Sequence, residues 1–265
     1  MAGNLEISTV VGCKMRCDYC PQKSHIENYS NRVGKMSLMY KMTLFDFMFY
    51  IESVPTEVDI VFAGMAEPFL NPMAIKMIQY AYDKGHKVSV YTTGEGIKAN
   101  DIKILKNINF NHFCLHLPDA DGKMNLNVDE EYLNTLKELN GIYKNVMCIG
   151  KLHPKVKELL GYDVADSTFS LYSRAGALKD LMIPRKSGKL FCSSCTDSLN
   201  HNILMPNGDV LLCCMDYNMK HIIGNLNTIK YSELFESEEY KKVLIGLTDE
   251  NIDILCRTCE ISKNI

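Results

Sequence analysis

From Leu5 to about Tyr172 the chain alternates short runs of β-branched and aromatic residues with longer stretches of helical apolar spacing. The runs Leu5 to Val10, Val58 to Phe62, Lys87 to Tyr91, Phe113 to Leu117, Val146 to Ile149 and Thr168 to Tyr172 predict six strands. A helix is predicted from Thr43, where Asp46 three residues later forms an acidic variant of the capping box. Others are predicted over Pro72 to Lys84, Ala99 to Asn107, Asp129 to Ile142 and Pro154 to Leu160. Strands alternating with helices build a parallel sheet covered by helices. Six β/α units are too few for an eight-stranded barrel, so the α/β fold expected is a partial barrel or an open parallel sheet.

The alternation stops after Leu178, and Lys179 to Lys189 has linker composition. Beyond it, Ile203 to Met205 and Val210 to Cys213 flank Pro206-Asn207-Gly208-Asp209, a hairpin in which Asn-Gly supplies positive φ angles. A helix is predicted near Ser232 to Leu247. The organisation expected is a larger unit over residues 1–180 and a smaller one over 181–265.

With 46% hydrophobic and 23% charged residues, the 265-residue chain has the composition of a packed globular protein. Its formal net charge of -3 creates no strong field toward nucleic acid or an acidic membrane surface. The most apolar stretch, Leu38 to Ile51, is interrupted by Lys41 and Asp46 and falls short of a bilayer span. The first residues lack the pattern of a secretion signal, so a cytoplasmic location is expected.

Cysteine changes the picture. Eleven are present, an odd number, and nine fall into two groups: Cys13, Cys17 and Cys20, then Cys192, Cys195, Cys213, Cys214, Cys256 and Cys259. In a reducing compartment such grouping points to metal or chemistry rather than disulfides. Cys13-x3-Cys17-x2-Cys20 directly follows the first predicted strand, so one loop can aim three thiolates at one point. Three thiolates on a four-iron cluster leave one iron open to a further ligand. Structural zinc, the competing reading, ordinarily takes four protein ligands, and no fourth lies nearby in sequence.

Cys13-x3-Cys17-Asp-Tyr19-Cys20 resembles the hallmark of the radical S-adenosylmethionine (SAM) superfamily, with Tyr19 at its aromatic position. The resemblance implies a [4Fe-4S] cluster whose open iron is chelated by SAM, a 5′-deoxyadenosyl radical that abstracts hydrogen from substrate, and a barrel of six β/α units. Other predicted strand ends fit it, since ligands of parallel α/β folds bind there. Gly64-Met65-Ala66-Glu67 is similar to the family's Gly-Gly-Glu motif for the SAM amino group, and Thr92-Thr93-Gly94 stands where many relatives have Thr-Asn-Gly. His116, Gly150 and Arg174 close the next three strand ends. A guanidinium at a strand end suits a carboxylate of SAM or substrate.

Cys195-x12-Gly208-x4-Cys213 with the distant Cys256-x2-Cys259 resembles the twitch domain, a shortened SPASM domain carrying an auxiliary iron–sulfur cluster. The resemblance implies Cys195, Cys213, Cys256 and Cys259 as ligands of a second, closed [4Fe-4S] cluster. Cys192 and Cys214 are then surplus, with Cys192 an alternative to Cys195 as a ligand, and Cys114 and Cys148 on predicted strands read as core thiols. A cluster closed to substrate suits accepting an electron, which favours an oxidation. By resemblance to the butirosin-type aminocyclitol dehydrogenases, the substrate expected is a secondary alcohol on a sugar or cyclitol. Arg174 and Asp216 are expected to position it or handle its proton, and a flavodoxin- or ferredoxin-like donor to supply electrons. The alternative is a maturase acting on a peptide; many such enzymes carry a leader-binding domain, and 12 residues precede Cys13. A non-catalytic electron carrier is the third expectation.

Overall fold

The computed structural model describes residues 3–167, 171–194 and 199–265. Its strands are β1 (Asn4–Ile7), β2 (Val10–Val11), β3 (Tyr40–Lys41), β4 (Asp59–Phe62), β5 (Val88–Thr92), β6 (His112–Leu117), β7 (Asn145–Cys148), β8 (Leu190–Cys192), β9 (His201–Leu204), β10 (Asp209–Leu211), β11 (Ile222–Asn225) and β12 (Ser262–Asn264). The helices are α1 (Gln22–Val33), α2 (Leu44–Ile51), α3 (Ala74–Asp83), α4 (Ala99–Leu105), α5 (Glu130–Glu138), α6 (Pro154–Leu160) and α7 (Glu238–Thr248).

One eight-stranded sheet runs in the order β11-β10-β9-β1-β4-β5-β6-β7. From β9 to β7 every pairing is parallel, and the β9–β10 and β10–β11 pairings are antiparallel. The parallel sheet under helices is the partial-barrel α/β architecture expected. Five of the six predicted strands pair in it. Residues 168–170 of the sixth lie outside the described residues, and Leu171 and Tyr172 carry no strand pairing. Just before them, Asp166 bridges Cys148 in parallel fashion, so the chain enters this region alongside β7.

Alternation along the strands separates two faces. Leu5, Ile7, Ile60, Phe62, Val88, Val90, Phe113, Leu115 and Leu117 join Phe47, Ile51, Ile78 and Leu105 of the helices in one buried cluster. Each large side chain buried there contributes roughly 1.5–3 kcal/mol of transfer free energy. The opposite face carries Glu6, Ser89, Tyr91, His112, Cys114 and His116, polar positions interspersed with Val61 and Ile203.

Helix starts follow their caps. Thr43 accepts from the Asp46 N–H at 3.0 Å, Asp129 from Tyr132 N–H at 2.9 Å, and Ser237 from Tyr240 N–H at 3.2 Å. The helix predicted near Ser232 to Leu247 divides at Ser237 into a 3-10 segment, Tyr231–Glu236, and α7. The stretch with linker composition is anchored instead: Lys186 Nζ donates to Ser262 Oγ at 3.0 Å, and buried Arg257 donates to the Gly188 and Gly246 carbonyls, each at 2.6 Å. These two cations draw Lys179 to Lys189 onto the loop that follows α7 and thereby position Cys256 and Cys259.

Candidate active site

The loop after β2 begins with Gly12, whose φ of 101° and contact with the Leu38 carbonyl exclude a side chain. The loop carries Cys13, Cys17 and Cys20, all half-buried. A turn from Cys20 N–H to Cys17 carbonyl at 3.0 Å and a bond from Asp18 N–H to Lys123 carbonyl at 2.9 Å fix its course over the end of β6. Burial raises all three thiols, and their mutual proximity raises Cys13 and Cys17 further, Cys17 to about 12. Gln22 Nε2 donates toward Cys20 Sγ at 3.6 Å and also reaches the Met65 carbonyl.

Three gathered soft donors, kept protonated by burial until a cation replaces the protons, fit the three-thiolate set of an iron–sulfur cluster. Among the described residues no three His, Cys, Asp or Glu side chains close around a single metal ion.

Around this loop the sequence-predicted residues converge. Tyr19 stacks on His116 with ring centroids 5.9 Å apart, and its hydroxyl lies 3.4 Å from His116 Nε2. Burial pushes His116 down to about 4, which keeps the imidazole neutral near pH 7. Glu67 is buried, and four donors occupy its carboxylate: Phe69 N–H at 3.2 Å, Thr92 Oγ1 at 2.6 Å, and Thr93 N–H and Oγ1 at 2.8 Å each. Glu67 thus locks the turn after β4 to the end of β5, with Tyr132 holding the Thr93 carbonyl at 2.8 Å. Gly64 packs against the Ser8 main chain, and Gly150 N–H donates to Asp166 at 2.7 Å.

Arg174 lies in a turn with left-handed backbone at Arg174 (φ 54°) and Ala175 (φ 51°), conformations that cost about 1–2 kcal/mol each for residues with a Cβ. Strain of this kind clusters where a side chain must be aimed. The guanidinium sits 5.7 Å above the Tyr217 ring, within 3.8 Å of Met215 Sδ, with Cys20, Cys214 and Glu6 in its electrostatic surroundings.

Asp216 has a different setting. Its carboxylate is buried and accepts Lys220 N–H and His221 N–H at 2.7 Å each, closing the turn after Cys213 and Cys214. Burial raises its carboxyl, against those two N–H donors.

The second thiol group assembles behind the sheet. Burial raises Cys213, Cys256 and Cys259, Cys256 to about 12, and Cys192 contributes to the shifts of Cys256 and Cys259. Cys195 lies outside the described residues. Donor type and grouping again fit an iron–sulfur cluster. Cys214 has Glu6, Arg174 and Cys259 in its electrostatic surroundings, and Cys148 lies in the helix-covered core.

Glu6 and Gln22 were not singled out by motif. The available signal for Glu6 was an acid inside a parallel strand, where continuous apolar residues are the rule.

The comparisons concern the family and the fold. The radical SAM superfamily model matches residues 7–151, over half of the chain, and the SPASM iron–sulfur cluster-binding domain model matches residues 192–260. The chain belongs to the radical SAM superfamily. SAM and a [4Fe-4S] cluster are the cofactors that this membership implies, and the SPASM region implies an auxiliary iron–sulfur cluster. Among solved structures, BtrN in complex with AdoMet and 2-DOIA shares the fold with a TM-score of 0.67 at 17% identity, covering 98% of this chain and 93% of that one. Native anSMEcpe with bound AdoMet and a peptide matches at 0.52 and 15% identity over 97% of this chain and 86% of that one. Streptococcus suis SuiB bound to precursor peptide SuiA matches at 0.54 and 13% identity over 98% and 70%. No curated protein matches in sequence. Among the described residues no helix is long and apolar enough to cross a membrane.

Proposed function

We propose that the chain is a radical SAM oxidoreductase that dehydrogenates a secondary alcohol on a sugar or cyclitol. The observation that carries the reading is the set of polar side chains on the sheet face opposite the helix-covered core, Glu6, Ser89, Tyr91, His112 and His116, with Arg174 in the electrostatic surroundings of Glu6. Hydroxyl-rich substrates need such donors and acceptors, because an apolar lining would leave their oxygens unpaired. The similarity in fold and length to BtrN supports it.

In this reading Cys13, Cys17 and Cys20 hold the first [4Fe-4S] cluster, and Cys195, Cys213, Cys256 and Cys259 hold the auxiliary one. Bound there, the first cluster with SAM supplies a radical that removes a hydrogen atom, and the auxiliary cluster supplies a one-electron acceptor. The chain's own residues bind and orient. The backbone of Gly64, Met65 and Ala66 with Thr92, Thr93 and Gly150 lines the SAM site. Glu67 shapes that site through the bonds it already makes. Tyr19 and His116 wall it with a neutral stack. Arg174 orients the substrate oxygen, and Asp216 holds the turn between Cys213 and the substrate side. The remaining parts of the reading are two units meeting near residue 180, a cytoplasmic setting and a flavodoxin- or ferredoxin-like reductant.

A peptide substrate is the second reading, supported by the fold shared with two proteins crystallised with peptides. The test uses anaerobically reconstituted, reduced protein with SAM and two panels: aminocyclitols deuterated at their carbinol carbons, and deuterated cysteine-containing peptides. Deuterium in 5′-deoxyadenosine together with a ketone from an aminocyclitol is the expected result. Deuterium arriving only from a peptide favours the second reading, and absence of 5′-deoxyadenosine makes the chain an electron carrier.

A further inference from the structure

Glu6 sits in the middle of β1, between Val61 of β4 and Ile203 of β9 in register. Its strand neighbours Leu5 and Ile7 are fully buried in the helix-covered core, so alternation turns Glu6 onto the opposite face. An acid there has no packing role that an apolar residue would not fill better, and Glu6 stays partly exposed between the fully buried Leu5 and Ile7. The Gly64 N–H, in the turn proposed to line the SAM site, and the Arg174 guanidinium lie in the electrostatic surroundings of the carboxylate. Cys214 lies in its field from the turn after β10, and Tyr91 from β5. Asp59 and His201 flank Asn4, the next inward-facing position toward the start of the strand. Glu6 therefore stands between the turn of Gly64 and the turn of Cys214, on the face left open for a substrate.

We propose that Glu6 takes the hydroxyl proton of the substrate, with Arg174 beside it holding the substrate oxygen. The assignment rests on the dehydrogenation reading above. Its balance is complete. Oxidising a secondary alcohol to a ketone sends the carbon-bound hydrogen atom to the adenosyl carbon and the hydroxyl proton to Glu6. The one remaining electron goes to the auxiliary iron–sulfur cluster, and the carbon–oxygen bond becomes double. Burial pushes the Glu6 carboxyl up to about 7, against the Gly64 N–H and the Arg174 charge, which puts it in the range where a base accepts protons near neutrality.

The experiment follows ketone formed per 5′-deoxyadenosine in reconstituted wild type, Glu6→Gln and Glu6→Asp, with the deuterated aminocyclitol panel, from pH 5.5 to 8.5. In wild type the ratio rises as pH increases through about 7. Glu6→Gln lowers it about 100-fold, the usual contribution of a positioned base, and flattens the pH profile. Glu6→Asp restores part of the ratio with a displaced midpoint. Iron content equal to wild type verifies that each variant is folded; where Glu6→Gln does not load iron, the midpoint displacement in Glu6→Asp decides. A Glu6→Gln protein with the wild-type ratio, or a Glu6→Asp midpoint identical to wild type, overturns the assignment. Wild type that draws deuterium only from peptides overturns the dehydrogenation reading and the assignment with it, an outcome distinct from a wild type that makes ketone regardless of residue 6.

Discussion

Glu67 shows how a single carboxylate can organise a site without offering a free oxygen to it. All four of its partners are donors, two from backbone and two from threonine hydroxyls. Glutamine keeps the shape but points an amide N–H₂ at two of them. Glu67→Gln is therefore expected to lower stability by about 1–3 kcal/mol, the penalty for leaving buried groups unpaired, measured by anaerobic urea titration. An unchanged midpoint would show that the donors turn readily to other partners. The sequence made Glu67 visible, because it follows a strand and sits near a recognisable spacing of small residues. Its hydrogen-bond partners were invisible, since they depend on how closely β4 and β5 end together. Glu6 was passed over for a related reason: one acid in the alternation Leu5-Glu6-Ile7 reads as the solvent side of an edge strand until β1 is seen paired on both sides, with β4 and β9.

Among the elements, α1 is the instructive absence from the sequence reading. Its inward residues are Gln22, His25, Tyr29 and Ser30, so the buried face is largely polar and gives no apolar period to detect. That face is nevertheless engaged: His25 Nδ1 lies 2.9 Å from the Tyr217 carbonyl, Ser30 accepts the Tyr40 hydroxyl at 2.8 Å, and Tyr29 packs with Val11, Met65 and Tyr217, while Gln22 Oε1 and His25 Nε2 are buried without a hydrogen-bond partner among the described residues. Helices with apolar stripes and hydroxyl or carboxylate caps, such as α2 and α5, were legible with ends displaced by only a few residues. α1 has no side-chain cap at its start and stops at Gly34, which takes a left-handed φ of 67° and bonds back to the Ser30 carbonyl at its end. A Cβ at Gly34 would meet nothing within 4 Å. Gly34→Ala therefore isolates the conformational cost, expected at about 1 kcal/mol of destabilisation in the same titration. A stabilising change would mean that the helix end can rewind without that conformation.

At the scale of the whole molecule, composition and the break in the repeat located a change of character near residue 180, but strand order could not be read from the chain. The hairpin after the break does not fold back on itself as a separate layer. β9 lies parallel to β1 over Asn4–Ile7 and continues the sheet, while Ile203, Met205, Leu211 and Tyr217 bury against Val11, Tyr29 and Met65. Arg32 of α1 adds a bidentate pair to Asp209 of β10, at 2.8 and 3.0 Å. Burial alone would raise Asp209, but Arg32 and the amides of Asn225 and Asn207 outweigh it and hold the carboxyl below its ordinary range. A fragment ending at residue 180 would lose all of this at once: the β1 edge would present unpaired backbone groups, and an apolar patch on α1 and β2 would face water. Such a fragment is expected to be aggregated or to lack cooperative unfolding by circular dichroism and size-exclusion chromatography, while the full chain unfolds as one unit. A monomeric fragment with a sharp transition would show that the strands from β1 to β7 suffice alone, and that β9 joins a sheet already formed.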